Sequence, residues 1–487
     1  MKSLVSHVGF GVRWFSMVLV AAGWGLAFSE AAWAGITYDQ VILADNPTAY
    51  WRFEESSTTQ PAADSATADG AQNGVYVGTA TLGAGKVGGA LYVTPGGTEG
   101  GYVRADNVNI SRAFTFEAWA RSETPNWNAY GWIASAREPN GLILHPYPNS
   151  KSWAGYAVTN TTGYPQIGSY TPTDIQGWHH YAISYDGANR GRLYFDGIPV
   201  VTNLSYTSAR DLADTISLYL GVDSSVRSSS DRQGRGAIDE AAVFLSELTP
   251  EQIRRHYSAA YGAFVFNGPA ASSLDFQGHF VYAVDVGNTS SGTVGKIGDA
   301  VFTGESVPGV SISYQTRLTT WGNRPEYGNT PEADLLETMM HSIGYTPAGN
   351  QNGVKVELDV VPGYTYNLQL IFSENDPGLF SLYGGRSFDI LVEGQTLFDD
   401  FTASAMVGPF AGSPTLGVVF STIVRPQDNK LTIQLLPTSP LYGNHDPILN
   451  AFTLELVPEP STLVILGVGV ALLGPVALRW RRRDKTA

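Results

Sequence analysis

Short segments in which apolar and polar residues alternate constrain the fold of this chain most. They are clear at Phe114–Ala120, Trp178–Tyr185 and Arg192–Phe195. Successive side chains of a strand point to opposite faces, so this alternation is typical of half-buried strands. Glycine-bearing turns follow at Asp186-Gly187 and Asp196-Gly197. Evenly spaced short strands with such turns predict a β-sandwich over residues 35–263.

A second set of alternating segments predicts a second sandwich over residues 267–456. A small, glycine- and proline-marked stretch after Phe264 separates the two sets. Thr249-Pro250, with Gln252 three residues after the threonine, predicts the start of a short helix before this boundary. The fold class is therefore all-β, with two antiparallel β-sandwich domains of jelly-roll type. The segments of the second set are 280–286, 354–360, 364–372, 387–392 and 431–436.

The N-terminus has the pattern of an export signal. Lys2 and Arg13 precede an apolar segment, Trp14–Phe28, and Ala32-Trp33-Ala34 is a cleavage site of the A-x-A type. This predicts a signal peptide over residues 1–34. A retained N-terminal anchor is the alternative. The chain has no cysteine, so both exported domains depend on their cores rather than on disulfides.

The C-terminus, residues 457–487, has three parts in order. Pro458-Glu459-Pro460 comes first, an uncharged apolar run from Leu463 to Leu478 follows within the segment Thr462–Trp480, and an arginine cluster at 479–483 comes last. The run has about the length of a single transmembrane helix, and basic residues stay on the cytoplasmic side. The body of the chain is therefore expected outside the membrane.

This tail resembles the PEP-CTERM sorting signal of exopolysaccharide-making bacteria. The resemblance implies recognition by an exosortase, cleavage near Pro458–Pro460, and anchoring in the membrane only before that cleavage. A plain C-terminal anchor is the alternative.

Charge excludes one class of partner. The formal net charge is −15, although both ends of the chain are basic, so the body is more acidic still. Nucleic-acid binding needs clustered lysine and arginine. We therefore expect no nucleic-acid partner.

The first domain resembles the laminin-G-like, concanavalin A-like jelly roll. The similarity rests on the ordered motifs 44–55, 114–119, 178–182, 193–197 and 237–244, closed by 248–253. It implies two curved sheets, a calcium site at one rim in many members, and sugar or protein binding.

Three aspartates are the candidate calcium ligands, because calcium is bound by several oxygen atoms. They are Asp196, Asp223 and Asp239. The alternative is structural: Asp196 makes the turn with Gly197, and Asp239 holds a loop. Trp127, Tyr130 and Trp153 lie in polar loops where a ring could stack on a sugar or instead plug the end of the sandwich.

The second domain resembles the malectin-like carbohydrate-binding domain. Its motifs are 281–287, 366–374, 385–394 and 447–456. The resemblance implies a sugar site in a loop-end cleft, and the matching positions are Phe380, Tyr383 and Asp446, with Tyr442 close by. Met339-Met340 departs from the pattern, since methionines are more often core residues.

No catalytic constellation is evident. A jelly-roll glycosidase needs two carboxylates that flank the scissile bond, whereas Asp239 and Glu240 are adjacent and should face apart on a strand. The sequence thus predicts a non-catalytic, exported surface or matrix protein that binds a glycan or exopolysaccharide. The alternatives are a carbohydrate-active enzyme on a jelly-roll scaffold and a structural surface protein that binds other proteins.

Overall fold

The structure is a computed structural model. The predicted signal peptide, the apolar run of the tail, Glu459 and Pro460 lie outside the residues that it describes, whereas Pro458 is described and exposed. None of the helices in the described part of the chain has the length and hydropathy that crossing a membrane requires. The described residues are 35–66, 70–137, 141–157, 165–206 and 215–458.

The first sandwich is built from two helices, one 3₁₀ turn and short strands. They are α1 (Tyr38–Ala44), β1 (Ala49–Trp51), β2 (Gly74–Gly78), β3 (Thr81–Ala84), β4 (Gly89–Val93), β5 (Gly101–Asn109), β6 (Phe114–Ser122), β7 (Ala134–Ser135), β8 (Leu142–Pro146), β9 (Trp153–Ala157), β10 (Gln166–Tyr170), β11 (His179–Tyr185), β12 (Gly191–Phe195), β13 (Ile198–Asn203), β14 (Thr215–Leu220), the 3₁₀ turn Ser230–Arg232, β15 (Gly236–Phe244) and α2 (Pro250–Ala259).

Two sheets form this sandwich. Among the described residues, an eight-stranded sheet has the order β13-β12-β11-β6-β15-β4-β3, with β1 paired to β15. A seven-stranded sheet has the order β10-β9-β8-β7-β14-β5-β2. Alternate side chains of both sheets, such as Phe116, Ile183, Leu144 and Leu218, are buried together in one core.

The second sandwich follows without a break. Its elements are β16 (Ala263–Phe266), β17 (Phe280–Asp285), β18 (Thr293–Ile297), β19 (Ala300–Gly304), β20 (Val310–Ser313), β21 (Thr316–Leu318), α3 (Pro331–Met340), β22 (Ile343–Tyr345), β23 (Val354–Asp359), β24 (Tyr366–Phe372), α4 (Leu379–Tyr383), β25 (Phe388–Val392), β26 (Gln395–Phe401), α5 (Ala403–Val407), β27 (Gly417–Val424), β28 (Lys430–Leu436), β29 (Ile448–Leu449) and β30 (Ala451–Leu456).

A seven-stranded sheet, β16-β27-β24-β30-β17-β19-β18, packs on a five-stranded sheet, β20-β23-β28-β25-β26, within the described residues. A small sheet, β21-β22-β29, completes the sandwich. The predicted all-β fold is confirmed. One detail departs from it: β17 and β19 pair in parallel. Strand β16, which spans the interval between the predicted domains 35–263 and 267–456, pairs with β27 of the second sandwich.

Helix α2 begins as its sequence predicts. The Gln252 N–H donates to the Thr249 hydroxyl, and the Gln252 side chain bonds back to the threonine N–H. Ile253, His256 and Tyr257 share its buried face. The Thr330-Pro331 pair begins α3, where the Thr330 hydroxyl accepts from the Ala333 N–H, and α3 buries Met339 and Met340 completely.

The two sandwiches share an apolar core. The outer face of the eight-stranded sheet, with Trp119, is buried together with α2 and the interior of the second sandwich. Tyr257 of α2 stacks on Trp119 at 5.5 Å and lies 6.1 Å from Phe398 of β26. Arg254 donates to the carbonyls of Asp196 and Asp400, one in each sandwich. Helix α2 therefore joins the two sandwiches.

A buried polar network lies under α2. Nδ1 of His256 is 2.7 Å from Glu117 Oε1, and its Nε2 is 2.9 Å from Asp45 Oδ2. Burial opposes a charge on this ring, but Glu117 and Asp45 outweigh burial and raise the pKa of His256 to about 9. His180 lies 3.6 Å from Glu117, and burial lowers its pKa. The network therefore carries its positive charge on His256.

This arrangement predicts a loss of stability at alkaline pH. A histidine whose pKa is raised by folding stabilises the fold below its unfolded pKa of about 6.5, and that effect is lost as the pH rises through its folded value. His256→Gln should therefore flatten the decline in unfolding free energy between neutral pH and about 9. Urea unfolding across this range measures the slope.

The control is His279→Gln, since His279 is exposed, and this variant should keep the wild-type slope. Burial raises the pKa of Glu240 to about 8. In all three proteins this group therefore contributes its own decline in unfolding free energy at lower pH. Equal slopes for His256→Gln and the wild type would contradict the assignment.

Candidate functional site

One end of the second sandwich gathers polar and aromatic side chains around Arg386; we call this group the Arg386 site. Arg386 Nε donates to Glu374 Oε2 at 2.9 Å, and its Nη1 donates to Asn444 Oδ1 at 2.9 Å. Glu374 is fully buried, and Arg386 nearly so. Burial raises the pKa of Glu374, and Arg386 opposes that shift. The ion pair thus fixes a guanidinium group just beneath the surface.

Three aromatic rings and a carboxylate surround this pair. Trp321 lies 5.5 Å from the Arg386 guanidinium. Tyr442 packs against Gly385, where a Cβ atom would meet its ring at 3.1 Å. Tyr383 is 45% exposed, and its carbonyl accepts from the Gly443 N–H. Asp446, part-exposed, lies 4.0 Å from Arg386 Nη1.

The local sequence explains why these groups meet. Glu374 follows the end of β24, Arg386 precedes β25, and Asp446 precedes β29, so three neighbouring strand ends supply them. Gly384 and Gly385 both have positive φ, +74° and +151°. That backbone conformation favours glycine, and it brings Tyr383 and Tyr442 together.

Three of the four ligands predicted in this sandwich thus lie together: Tyr383, Tyr442 and Asp446. Phe380 lies on the same short helix, α4, where its carbonyl accepts from the Gly384 N–H. Trp321 and Arg386 were not among the predicted ligands. Arg386 had a signal in the sequence, as a lone charge between two glycines and an apolar strand. Trp321 comes from a distant loop and had none.

The first sandwich carries a second group, which we call the tyrosine cluster: Tyr130, His145, Tyr147 and Tyr156. Leu142 and Leu144 of β8 face the core, so His145 points to the outer face of the seven-stranded sheet. His145 lies 4.9 Å from Tyr147 and 5.5 Å from Tyr156, measured between ring centres. The Tyr147 and Tyr156 hydroxyls are 2.7 Å apart.

Charged groups border this cluster. Arg232 lies 4.6 Å from the Tyr130 ring centre. Burial, followed by the nearby Arg137, lowers the pKa of His145 to about 4, so the ring is neutral at ordinary pH. His145 Nδ1 makes no hydrogen bond among the described residues. The prediction for Tyr130 stays open, because its ring is only half-buried.

The two tryptophans predicted to stack on a sugar are core residues instead. Trp127 is 1% exposed and packs edge-on against Trp132 and Tyr181. Trp153 is fully buried against Tyr181. Neither ring has a free face, so the stacking role is wrong for both, and the alternative of plugging the sandwich applies.

The three predicted calcium ligands do not form one site. Asp223 is buried, and both its oxygens bind Arg137 at 2.6 Å. Asp239 is buried, and it accepts from the Val87 N–H. Asp196 has φ +51° at the turn with Gly197 and binds the His179 ring. These contacts agree with the structural alternative for Asp196 and Asp239, Asp223 is paired with Arg137 instead, and calcium binding by the chain stays a prediction.

Another carboxylate group was missed. Asp389, Asp399 and Asp400 bring oxygens within 4.8 Å of one another. Burial, Asp389 and Asp400 raise the pKa of Asp399 to about 6. Asp389 accepts from the Asp400 N–H and the Thr438 hydroxyl. The adjacent Asp399-Asp400 was visible in the sequence, but the approach of Asp389 depends on pairing of β25 with β26.

Asp239 and Glu240 were expected to face apart on a regular strand. A β-bulge interrupts β15 between Asp239 and Ala242, and Glu240 has φ +51°. Both carboxyl groups are buried. Burial and Glu240 raise the pKa of Asp239, and the Tyr50 hydroxyl donates to Glu240. The regular alternation was therefore wrong here, and neither group faces solvent.

Two protein families match parts of this chain. Residues 96–254 match the concanavalin A-like lectin/glucanases superfamily, and residues 456–483 match the PEP-CTERM protein-sorting motif. The chain therefore has a concanavalin A-like domain and the sorting motif of an exported surface protein, and both predictions are confirmed. The malectin-like resemblance of the second sandwich stays a prediction. Among curated proteins none matches the chain.

Several solved structures are similar to parts of the chain. Domain 4 of an extracellular arabinanase from Geobacillus stearothermophilus, in complex with arabinotriose, is 20% identical over 44% of this chain and 98% of its own, with a TM-score of 0.34. A pentraxin from Limulus polyphemus is 16% identical over 30% and 70%, with a TM-score of 0.26. A Trypanosoma rangeli sialidase is 17% identical over 43% and 32%, with a TM-score of 0.31. Scores of this size carry no functional argument.

The buried ion pair of the Arg386 site yields a prediction. Arg386→Met should lower the free energy of unfolding by about 3–5 kcal/mol, because Glu374 would be left buried without its cation. Urea unfolding measures the change. The matched control is Arg317→Met, at an exposed arginine of β21, which should change stability by less than about 0.5 kcal/mol.

The double variant Glu374→Gln with Arg386→Met should recover part of the loss, because the uncompensated charge is removed. A single Arg386→Met variant as stable as the wild type would show that the pair does not support this end of the sandwich.

Proposed function

We propose that this protein is a non-catalytic cell-surface or extracellular-matrix protein that binds carbohydrate, chiefly through the Arg386 site. The observation that carries the proposal is the exposed ring of Tyr383 beside Tyr442, Asp446 and the buried Arg386–Glu374 pair. An aromatic face covers the apolar side of a sugar ring, while fixed charged groups bind its hydroxyls. Because the ion pair is held before a ligand arrives, little order has to be gained on binding.

The tyrosine cluster of the first sandwich is a second proposed site of carbohydrate binding. Its rings lie on the outer face of a sheet in the domain that matches the concanavalin A-like superfamily. Tyr130 and Tyr147 are half-buried, so each keeps part of a ring on the surface. Paired hydroxyls of Tyr147 and Tyr156 offer both donors and acceptors to a sugar.

Burial supports the non-catalytic assignment. Asp239 and Glu240 form the carboxylate pair that the sequence offers for an enzyme, and both are shielded from solvent. A glycosidase needs such groups on either side of its substrate. Incubation of bacterial polysaccharide with the protein should therefore release no new reducing ends. Release that disappears in Asp239→Ala would favour the enzyme instead.

The sorting motif accounts for the location. We expect an exosortase to process the chain near Pro458–Pro460, after brief anchoring of the tail in the membrane. The body then passes to the surface or the matrix. Mature cells should contain the body without the arginine cluster at 479–483, and mass spectrometry of the C-terminal peptide tests this.

Glycan binding is tested by screening the full-length protein on a glycan array. Tyr383→Ala should weaken binding of the best ligand by about tenfold or more, as loss of an aromatic contact at the centre of a binding site does. The matched control is Tyr364→Ala. Tyr364 is 47% exposed, close to the 45% of Tyr383, and lies at the other end of β24.

A wild-type protein that binds no glycan would favour the structural alternative, a surface protein that contacts other proteins. Equal weakening by Tyr383→Ala and Tyr364→Ala would contradict the location of the site. Calcium dependence stays a prediction, and repeating the screen with a chelator tests it.

A further inference from the structure

A polar cleft of about 610 Å³ lies on the five-stranded sheet of the second sandwich, apart from the rings of the Arg386 site. Its volume is in the range of ligand-binding pockets, about 300–1,000 Å³. On β23, Val354 and Val356 face the core, so Lys355 faces outward into the cleft. The side chains used below are Ser313, Gln315, Asn350, Asn352, Lys355 and Gln434.

The walls of the cleft are fixed by hydrogen bonds. The Gln315 N–H donates to the Thr346 hydroxyl at 3.1 Å, and that hydroxyl donates to the Gly353 carbonyl at 2.7 Å. Asn350 Nδ2 donates to Gln315 Oε1 at 3.2 Å. The connection between β20 and β21 is therefore tied to the loop before β23.

The floor offers unused hydrogen-bonding groups. Ser313 pairs with Lys355, and Lys355 pairs with Gln434, so these three side chains form a row across β20, β23 and β28. The Gln434 and Asn352 amides and the Ser313 hydroxyl make no side-chain hydrogen bond with the described residues. Gln434 is half-buried, whereas Asn352 and Ser313 are exposed, and all three side chains can donate to or accept from a ligand in the cleft.

The chemistry of the lining favours a neutral ligand. Amides and hydroxyls both donate and accept, as sugar hydroxyls do. Among the described residues, no carboxylate lines the cleft. Lys355 is its one cation there, and Nζ already lies 3.0 Å from Glu357 Oε1. With a net charge of −15, the protein also repels polyanions.

We propose that this cleft is a further carbohydrate site, besides the Arg386 site and the tyrosine cluster, which binds a segment of a neutral glycan chain. The proposal rests on the proposed function for the class of ligand but not for the place of binding. Ala348, in the loop between the two sites, donates its N–H to Asp446 at 2.7 Å. This loop therefore lies between the cleft and the Arg386 site.

The test is calorimetric titration of the full-length protein with cellohexaose, xylohexaose, mannohexaose and hexagalacturonate. Gln434→Leu and Ser313→Val should each lower the affinity of one binding site for the best neutral hexasaccharide by about tenfold. This is the effect of losing one or two hydrogen bonds. Thr432→Val and Ser311→Val are matched controls. They lie two residues away on the same strands and the same outward face, outside the cleft, and should titrate like the wild type.

Tyr383→Ala separates the two proposals. Retention of the Gln434-dependent site in Tyr383→Ala supports the cleft as an independent site. If Gln434→Leu titrates like the wild type while Tyr383→Ala loses binding, the cleft proposal is wrong and the proposed function stands. If no neutral hexasaccharide binds, the cleft proposal is wrong, and the glycan array with Tyr383→Ala still decides the proposed function. If hexagalacturonate is the only hexasaccharide that binds, and Lys355→Met removes that binding, the proposal of a neutral ligand for the cleft is wrong.

Discussion

The contact between the two sandwiches is the constraint on which the rest of the structure depends. A β-sandwich has two outer faces, and the first sandwich buries one of them against α2 and the second sandwich. Trp119, Tyr257 and Phe398 form the centre of that contact. The remaining outer face, on the seven-stranded sheet, is the one that carries the tyrosine cluster. Burial of one face thus decides which sheet of the first sandwich can meet a ligand.

The same contact buries charged side chains, which costs free energy that their hydrogen bonds must offset. Glu117 and His256 are fully buried where the sandwiches meet. Burying a single charge is expensive, and a buried pair is tolerated when further partners satisfy it. Asp45 supplies that partner from the end of α1. The contact between His256 and Asp45 therefore ties the end of α1 to α2 at the junction.

Much of the fold could be predicted because it depends on local patterns. Alternation identified the strands, and Thr249, Pro250 and Gln252 identified the start of α2. The site was harder. Exposure of a single ring depends on its packing in space, so the sequence leaves two roles open for Trp127, and only the structure shows that Trp132 and Tyr181 cover it. The partner of Asp223 is hidden from the sequence for the same reason, since Arg137 reaches it from another loop.

The family resemblances succeeded where they rested on ordered motifs. The concanavalin A-like match and the sorting motif both fall where the sequence placed them. Within the second sandwich, aromatic and acidic positions came together near Arg386, but the cation at their centre could only be located once strand ends were arranged in space. A bulge at Glu240 likewise has no local signal, because the residue is an ordinary glutamate with φ +51°.

The tail follows directly after the last strand, β30, so the pairing of this strand determines how a pull on the tail acts on the fold. β30 pairs with β24 on one side and β17 on the other, so it is a central strand. Hydrogen bonds continue to the end of the body, where the Leu456 N–H donates to His279 and the Val457 N–H to Thr365. Pro458 follows at once. Tension applied through the tail would therefore load two rows of hydrogen bonds in shear rather than peel an edge strand. A cut beyond Val457 would remove the tail without removing any residue of this strand.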